Sequence, residues 1–348
     1  MPTLAKPFTY YLAGFVWSER TGRLGYAIAT LVMWAMAALF FVRQDIAGGL
    51  SYGAESLLIL AIAIWFVPSV GHLMRRLNDA GLSGWLWLLT VIPYLGAAFS
   101  IYLMFLRPTP RGRFIDTGPW RSLGFVAACC LAIVLLSRLL LVPYSIPAGS
   151  MKPTLLVGDY VIAVRGGGAP ERGQVVTFRH PTTGTVFVKR VIGLPGDRIQ
   201  MADGVVVING QAAVLTPAGF FEEVMAPQGP MGGLPRCSNG AVGQGAICQK
   251  RIQTEVLPDG TTQTILDIGP SPMDHTAEFT VPAGSVFVLG DNRDNSIDSR
   301  FAQSVGGMGF VPVENLRDRP VLVLYSVTGT SSWQLWTLRA DRFLKAIR

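Results

Sequence analysis

Ser150 sits in the stretch "GSMKPTL" (149–155), between a glycine and a methionine, with Pro153 three residues on. Alone, that could be an ordinary turn. A serine hydroxyl is a weak nucleophile and attacks only when a neighbour removes its proton. Histidine is the usual base, but His72, His180 and His275 stand outside any distinctive motif and read as packing or surface residues. Lysine is the alternative, and it works only when burial without a counter-ion drives its ammonium toward the neutral form. In "TVFVKRVIGLPGDRI" (185–199), alternation places Phe187, Lys189 and Val191 on one strand face, so a cation occupies an apolar-face position. The bland alternative is a lysine that snorkels from an edge strand.

A third stretch, "LGDNRDNSIDSR" (289–300), packs nine short polar or charged side chains into one loop. A solvated turn is the simplest reading. Beside a β-branched strand, that density also suits a self-satisfying hydrogen-bond network that holds a shape and orients a base.

These residues need a scaffold. After residue 145, short runs such as "DYVIAV", "GQVVTFRH" and "RPVLVLYSV" alternate with Gly and Pro turns, the pattern of an all-β fold of many short strands. Residues 211–280 are richer in Gly, Pro and polar side chains and read as an insertion of long β-hairpins. They contain Cys237 and Cys248 on either side of a Gly-rich stretch; a disulfide is expected if this region faces an oxidising compartment, with two free thiols as the alternative. No second cysteine pair or nearby histidine completes a metal site.

The N-terminal part differs. Half of the 348 residues are hydrophobic and 15% are charged, against ~25% in an ordinary soluble domain. The hydrophobicity is concentrated before residue 145, which indicates a membrane protein with a water-soluble C-terminal part. Four segments qualify as transmembrane candidates: 24–42, 56–74, 85–106 and 123–143. Pro68 and Pro93 allow a kink or re-entrant path in two of them. No cleavable signal peptide is expected at the start. Arg75, Arg76 and Asp79 with Gly81 and Gly84 suit an interfacial loop, and Trp85 and Trp87 the headgroup belt. The net charge of +7 fits basic juxtamembrane loops, and no basic stretch is interleaved with aromatics as a nucleic-acid surface would be. The last stretch, 331–348, suits a basic amphipathic tail or helix that lies on anionic lipid, or a merely solvated one.

The stretches "IPAGSMKPTLLVGDYVIAV", "VKRVIGLPGDRI" and "GDNRDNSIDSR", in that order after an apolar segment, resemble bacterial type I signal peptidase, a Ser-Lys protease family on a β-rich fold. Residues 14–113 resemble a small bacterial membrane-domain family of unknown function, through "SERTGRLGY" and "MRRLNDAGLSGWLWLL". The implied architecture is an α-helical transmembrane N-terminal region plus an all-β catalytic domain with a β-hairpin insertion. The domains would be a membrane domain over 1–113, an anchor over 123–143, a protease domain over 144–330 and a tail over 331–348.

By position, the resemblance makes Ser150 the nucleophile, Lys189 the general base and Ser296 the hydroxyl that orients the lysine. Gly290, Asp298 and Arg300 support the dyad. Ile146, Met151, Leu155 and Val188 line small-residue pockets, and Arg190 takes a structural position. The implied activity is removal of signal peptides after small residues, without metal or cofactor. The partners are exported precursors and the bilayer, near the secretion machinery, with no nucleic acid. The implied location is a bacterial inner membrane, multi-pass, with the β domain on the outer face. Arg107, Arg111, Arg113 and Arg121 before the fourth segment favour that orientation, whereas Arg20 and Arg23 do not favour the outside N-terminus that four full spans would require. One departure stands out: many members carry serine two residues before the nucleophile as an oxyanion donor, and here that position is Ala148. The rivals are another Ser-Lys processing protease, of the repressor or pilin-maturation kind, and a catalytically weak membrane-anchored binding module.

Overall fold

A computed structural model describes residues 21–45, 52–91, 95–109, 118–166, 169–230, 232–328 and 335–347. Two compact units divide the chain, Met1–Leu140 and Leu141–Arg348.

The first unit is helical: α1 (Arg23–Asp45), α2 (Tyr52–Ala80), a 3-10 segment (Gly84–Val91), α3 (Leu95–Phe105) and α4 (Gly118–Ser137). Within α2, the 24 residues Leu57–Ala80 are long and apolar enough to cross a bilayer, since a rise of ~1.5 Å per residue carries them past a ~30 Å hydrocarbon core. Among the described residues, the other apolar helical stretches, Arg23–Leu39, Leu95–Phe105 and Val126–Ser137, are shorter. The candidate segment 85–106 is not one helix: it divides into the 3-10 segment and α3, on either side of 92–94. The expected kink or re-entrant path at Pro93 lies outside the described residues. Gly96 then packs so closely that a Cβ there would stand 2.5 Å from the Thr90 carbonyl oxygen.

The expected interfacial loop at Arg75–Asp79 is instead the last part of α2, and Arg76 is wholly buried. Its Nε donates to Leu103 O at 2.8 Å, Nη2 donates to Leu106 O, and Nη1 pairs with Asp79. Terminal helix carbonyls lack intrahelical donors and attract cations, so a guanidinium at the end of α3 explains why Arg76 turns inward.

Among the described residues, the second unit is built from four antiparallel sheets. One orders β1 (Leu141–Ser145), β2 (Asp159–Arg165), β14 (Asp318–Ser326) and β15 (Lys345–Ala346); another orders β13 (Val311–Pro312), β12 (Ser285–Leu289), β4 (Val186–Gly193) and β3 (Val175–Arg179). A third orders β11 (Phe279–Thr280), β5 (Arg198–Ala202), β6 (Val205–Ile208) and β7 (Gln211–Ala212). The insertion supplies the fourth, with β10 (Thr262–Asp267), β9 (Ile247–Val256) and β8 (Val214–Val224) in that order.

Among the described residues, strand positions and the β1–β2 connection close three cores in this unit. Phe178, Val191, Val286 and Val288 form one, Ile192, Ile199, Val206 and Phe287 a second, and Ile146, Met151, Leu155 and Val161 a third. Full burial of such a side chain contributes ~1.5–3 kcal/mol, so the cores hold the strands rigid under the loops. The "GLPGD" turn closes through its own side chain: Asp197 Oδ2 accepts from Leu194 N at 2.7 Å, while Gly196 takes φ 90°. Gly193 has no room for a Cβ, which would lie 2.9 Å from Phe287 Cβ.

The C-terminal stretch is not an amphipathic helix. Leu335–Thr337 and Ala340–Arg342 are 3-10 turns, and β15 adds to the edge of β14. Arg342, expected on a basic lipid-facing side, is 3% exposed and its guanidinium pairs with Asp159. That buried pair, with Arg342 Nη2 also donating to Thr154 O at 2.9 Å, draws the chain onto the β unit.

Candidate active site

Ser150 lies in the turn between β1 and β2, half-buried, and Lys189 lies on β4. Because β4 runs between β3 and β12, Lys189 is on an interior strand, opposite Val176 of β3, and does not snorkel from an edge. Its side chain is 2% exposed, and Nζ lies 2.6 Å from Ser150 Oγ. Burial lowers the Lys189 ammonium from its ordinary value to about 8; Asp298 and Asp291 oppose that shift and Arg300 adds to it. Neither carboxylate is spare. Asp291 binds the Arg190 guanidinium through two hydrogen bonds, 2.8 and 2.7 Å, and Asp298 binds Arg300 through two of 2.9 Å. Two arginines thus neutralise the acids around the lysine, leaving desolvation to set its charge state.

The loop after β12 fixes the serine turn from one side. Asn292 N donates to Ser150 O at 3.0 Å, and Asn292 Nδ2 donates to Gly149 O at 2.9 Å. Thr154 Oγ1 donates to Asp291 Oδ2 at 2.5 Å. Gly290 permits this approach, because a Cβ there would sit 2.3 Å from Ser296 Oγ and 2.6 Å from Ser150 O. Gly290 N donates to Asp298 Oδ2 at 3.2 Å, and Ser299 Oγ accepts from Val288 N at 2.9 Å. The loop is therefore the hydrogen-bond network its composition suggested, and not a solvated turn.

Ser296 is buried beside the pair, but its Oγ makes no hydrogen bond, so the expected bond to Lys189 is not formed. Lys189 Nζ is engaged by Ser150 instead, and the Ser296 hydroxyl is held over Gly290. Ile146, Met151, Leu155 and Val188 gather in one core; Met151 and Leu155 are fully buried and Val188 is half-buried. Ala148 is exposed and offers no hydroxyl.

The histidines take ordinary places. His180 is buried; its Nδ1 accepts from Thr182 N and Thr183 N, and its Nε2 lies 3.1 Å from Gly307 O, so the ring pins a turn. His275 has a mostly exposed side chain near Asp203, and His72 is buried in the helical unit. Among the described residues, no group of three or more His, Cys, Asp or Glu could hold a metal ion. Cys237 and Cys248 form a disulfide.

Asn292, Thr154 and Asp291 are contacts that motif reading left unassigned, although all three stand inside the quoted stretches. Glu255 of β9 was not visible at all. It is fully buried and pairs with Arg293 through bonds of 2.8 and 2.5 Å, tying the insertion to the loop. An acid in an alternating strand was the one available signal.

Residues 120–325 match the family described as signal peptidase, peptidase S26, and residues 14–114 match a protein family of unknown function, DUF805. The chain is 30% identical over 234 residues to signal peptidase I of Rickettsia typhi (strain ATCC VR-144 / Wilmington), covering 58% of this chain and 78% of that protein. Signal peptidase I of Rickettsia prowazekii (strain Madrid E) is 31% identical with the same coverage. The crystal structure of a signal peptidase I from Enterococcus faecalis V583 aligns with 44% of this chain and 98% of its own at 24% identity, with a TM-score of 0.23.

Proposed function

The chain belongs to the signal peptidase, peptidase S26 family, a family of serine proteases, and on that premise we propose that it removes N-terminal signal peptides from exported precursors with a Ser150–Lys189 dyad. The observation that carries this reading is the 2.6 Å approach of a buried lysine amine to a serine hydroxyl, with both nearby carboxylates engaged by arginines. Neutral Lys189 accepts the Ser150 proton as Oγ attacks the scissile carbonyl. The resulting ammonium protonates the leaving amine. Water, deprotonated by the same lysine, then releases the acyl group from Ser150.

While Ser150 Oγ is bonded to the substrate carbon and the ammonium has not yet given up its proton, the lysine lacks its serine partner, and Ser296, buried beside it without a partner, serves that step. A buried unsatisfied hydroxyl costs ~1–3 kcal/mol, which its use during turnover explains. Gly290, Asp298 and Arg300 keep the geometry. Substrate binds extended as an added strand, with the half-buried Val188 lining a shallow site for small side chains, whereas Ile146, Met151 and Leu155 are buried and back that site from the core instead of lining it. The helical segments anchor the enzyme in the inner membrane in several passes, with the β unit outside, so that enzyme and precursor share a plane. The β-rich protease domain, read from the sequence over 144–330, is extended here to Leu141–Arg348, the unit that holds both β1 and β15.

Ser150→Ala and Lys189→Ala should each abolish cleavage of a precursor in membranes, with non-additive effects because they act as one unit. Lys189→Arg should be inactive as well, since a guanidinium stays protonated. Retained activity in any of the three rejects the dyad.

A further inference from the structure

We propose that Glu223, on the insertion strand β8, is a positioning residue for Ser150 that acts through Lys152. The inference rests on the Ser150–Lys189 reading and extends it to a part of the chain outside the three motifs.

Lys152 stands two residues after Ser150 in the same turn, and its N–H donates to Gly149 O at 3.3 Å across the serine. A lysine there has every reason to extend into solvent, yet it is 3% exposed. Its Nζ donates to Glu223 Oε2 at 2.5 Å and to Gln228 Oε1 at 2.7 Å. Gln228 Nε2 donates back to the same carboxylate oxygen at 2.7 Å, and the wholly buried Lys250 of β9 pairs with the other oxygen. The lysine stem also runs under the turn: a Cβ at Gly149 would lie 3.1 Å from Lys152 Cε.

The chain just after β8 grips the other flank of the turn. A Cβ at Gly229 would stand 2.6 Å from Val157 Cγ1 and 3.3 Å from Pro147 O, and Pro147 immediately precedes Ala148. The serine turn is thus held both by Asn292 and Asp291 and by an ion-pair cluster that the insertion provides. Burial would raise the Glu223 carboxyl, but Lys152 and Lys250 together hold it below its ordinary value, so the anchor is ionised. A buried ion pair gives little net stability and is best explained by the geometry it specifies. Here that geometry belongs to the backbone on which the nucleophile sits.

The test uses the full-length enzyme in detergent or vesicles with a precursor peptide. Lys152→Met removes the tether while leaving Glu223 paired with Lys250, so folding does not depend on an orphaned carboxylate. We expect kcat to fall about tenfold to a hundredfold, as for a nucleophile displaced by a fraction of an ångström, with KM within twofold. Lys152→Arg, which still reaches Glu223, should recover most of the loss. Glu223→Ala should reproduce the kcat effect. A kcat per folded enzyme equal to the parent's in Lys152→Met, or a Lys152→Arg variant no better than Lys152→Met, would overturn the inference. Ser150→Ala run alongside separates the two claims: if it is inactive while Lys152→Met is normal, only the positioning role fails; if it is active, the dyad fails.

Discussion

Lys189 and Lys152 both lie close to the turn that carries Ser150, both nearly inaccessible, and they are buried in opposite ways. Lys189 on β4 meets a hydroxyl, and the acids around it are taken by Arg190 and Arg300. Lys152 meets a carboxylate directly, with a second lysine and a glutamine sharing it. Burial pushes both ammonium groups below the ordinary lysine range, but only Lys152 has an ion partner in contact. On the proposed reading, the same side chain serves as a base where counter-ions are diverted and as a tether where one is supplied. The lesson is that the partner, more than the depth, decides what a buried lysine does.

The contrast is broken most severely by exchanging the first lysine for an apolar residue of similar length. Lys189→Met should lower turnover by ~10³-fold or more. It should leave Tm unchanged or higher, because it removes a buried ammonium that no carboxylate contacts. A large fall in Tm would show that Lys189 is a structural cation like Lys152. Next in size is Gly290→Ala, which forces a Cβ against Ser296 Oγ and Ser150 O. Overpacking of this kind costs ~1–3 kcal/mol, and displacing the turn should reduce kcat by ~10²-fold. Wild-type kinetics and Tm in that variant would mean that the loop yields freely.

Two smaller effects sharpen the comparison. Ala148→Ser places a hydroxyl where the family resemblance implies an oxyanion donor in many members, and should raise kcat by up to ~10-fold with little change in KM. An unchanged or lower kcat would show that another donor already fills that position. On the insertion side, replacing Cys237 and Cys248 by serine opens the disulfide, which spans 11 residues. Thermal melts should show a loss of ~2–3 kcal/mol, with kcat reduced only a few-fold. Cys248 lies opposite Glu223 in the β8–β9 register, so the small loss should vanish in a Lys152→Met background. Independent, additive losses would separate the disulfide from the Lys152 tether.

What the sequence made legible follows from period and motif. The strand alternation that put Lys189 inward is a local property, and so are the "GLPGD" turn and the density of polar residues after β12. The helical unit was harder to read: Arg76 looks interfacial as a residue type, and only the ends of α3, far away in sequence, turn it into a buried cap. The tail carries a helical pattern in its residues, but the Asp159 carboxylate captures Arg342 and prevents one. The Lys152–Glu223 pair joins residues 71 apart in a region with no motif at either acid or glutamine. Nothing in local patterning reports such a contact, and it emerges only when the insertion sheet is in place.

The most direct test of the account is the charge of Lys189 itself. In full-length enzyme with isotope-labelled lysine, its signal can be assigned by its loss in Lys189→Arg and followed from pH 6 to 10, with kcat/KM measured on the same sample. The folded-state value lies below the unfolded one, so the amine loses its proton early and the base becomes available as pH rises. The account predicts a titration midpoint of about 8 and a kcat/KM that rises through the same pH. A midpoint at the ordinary value of ~10.4, or activity that falls as pH rises through this range, would contradict it.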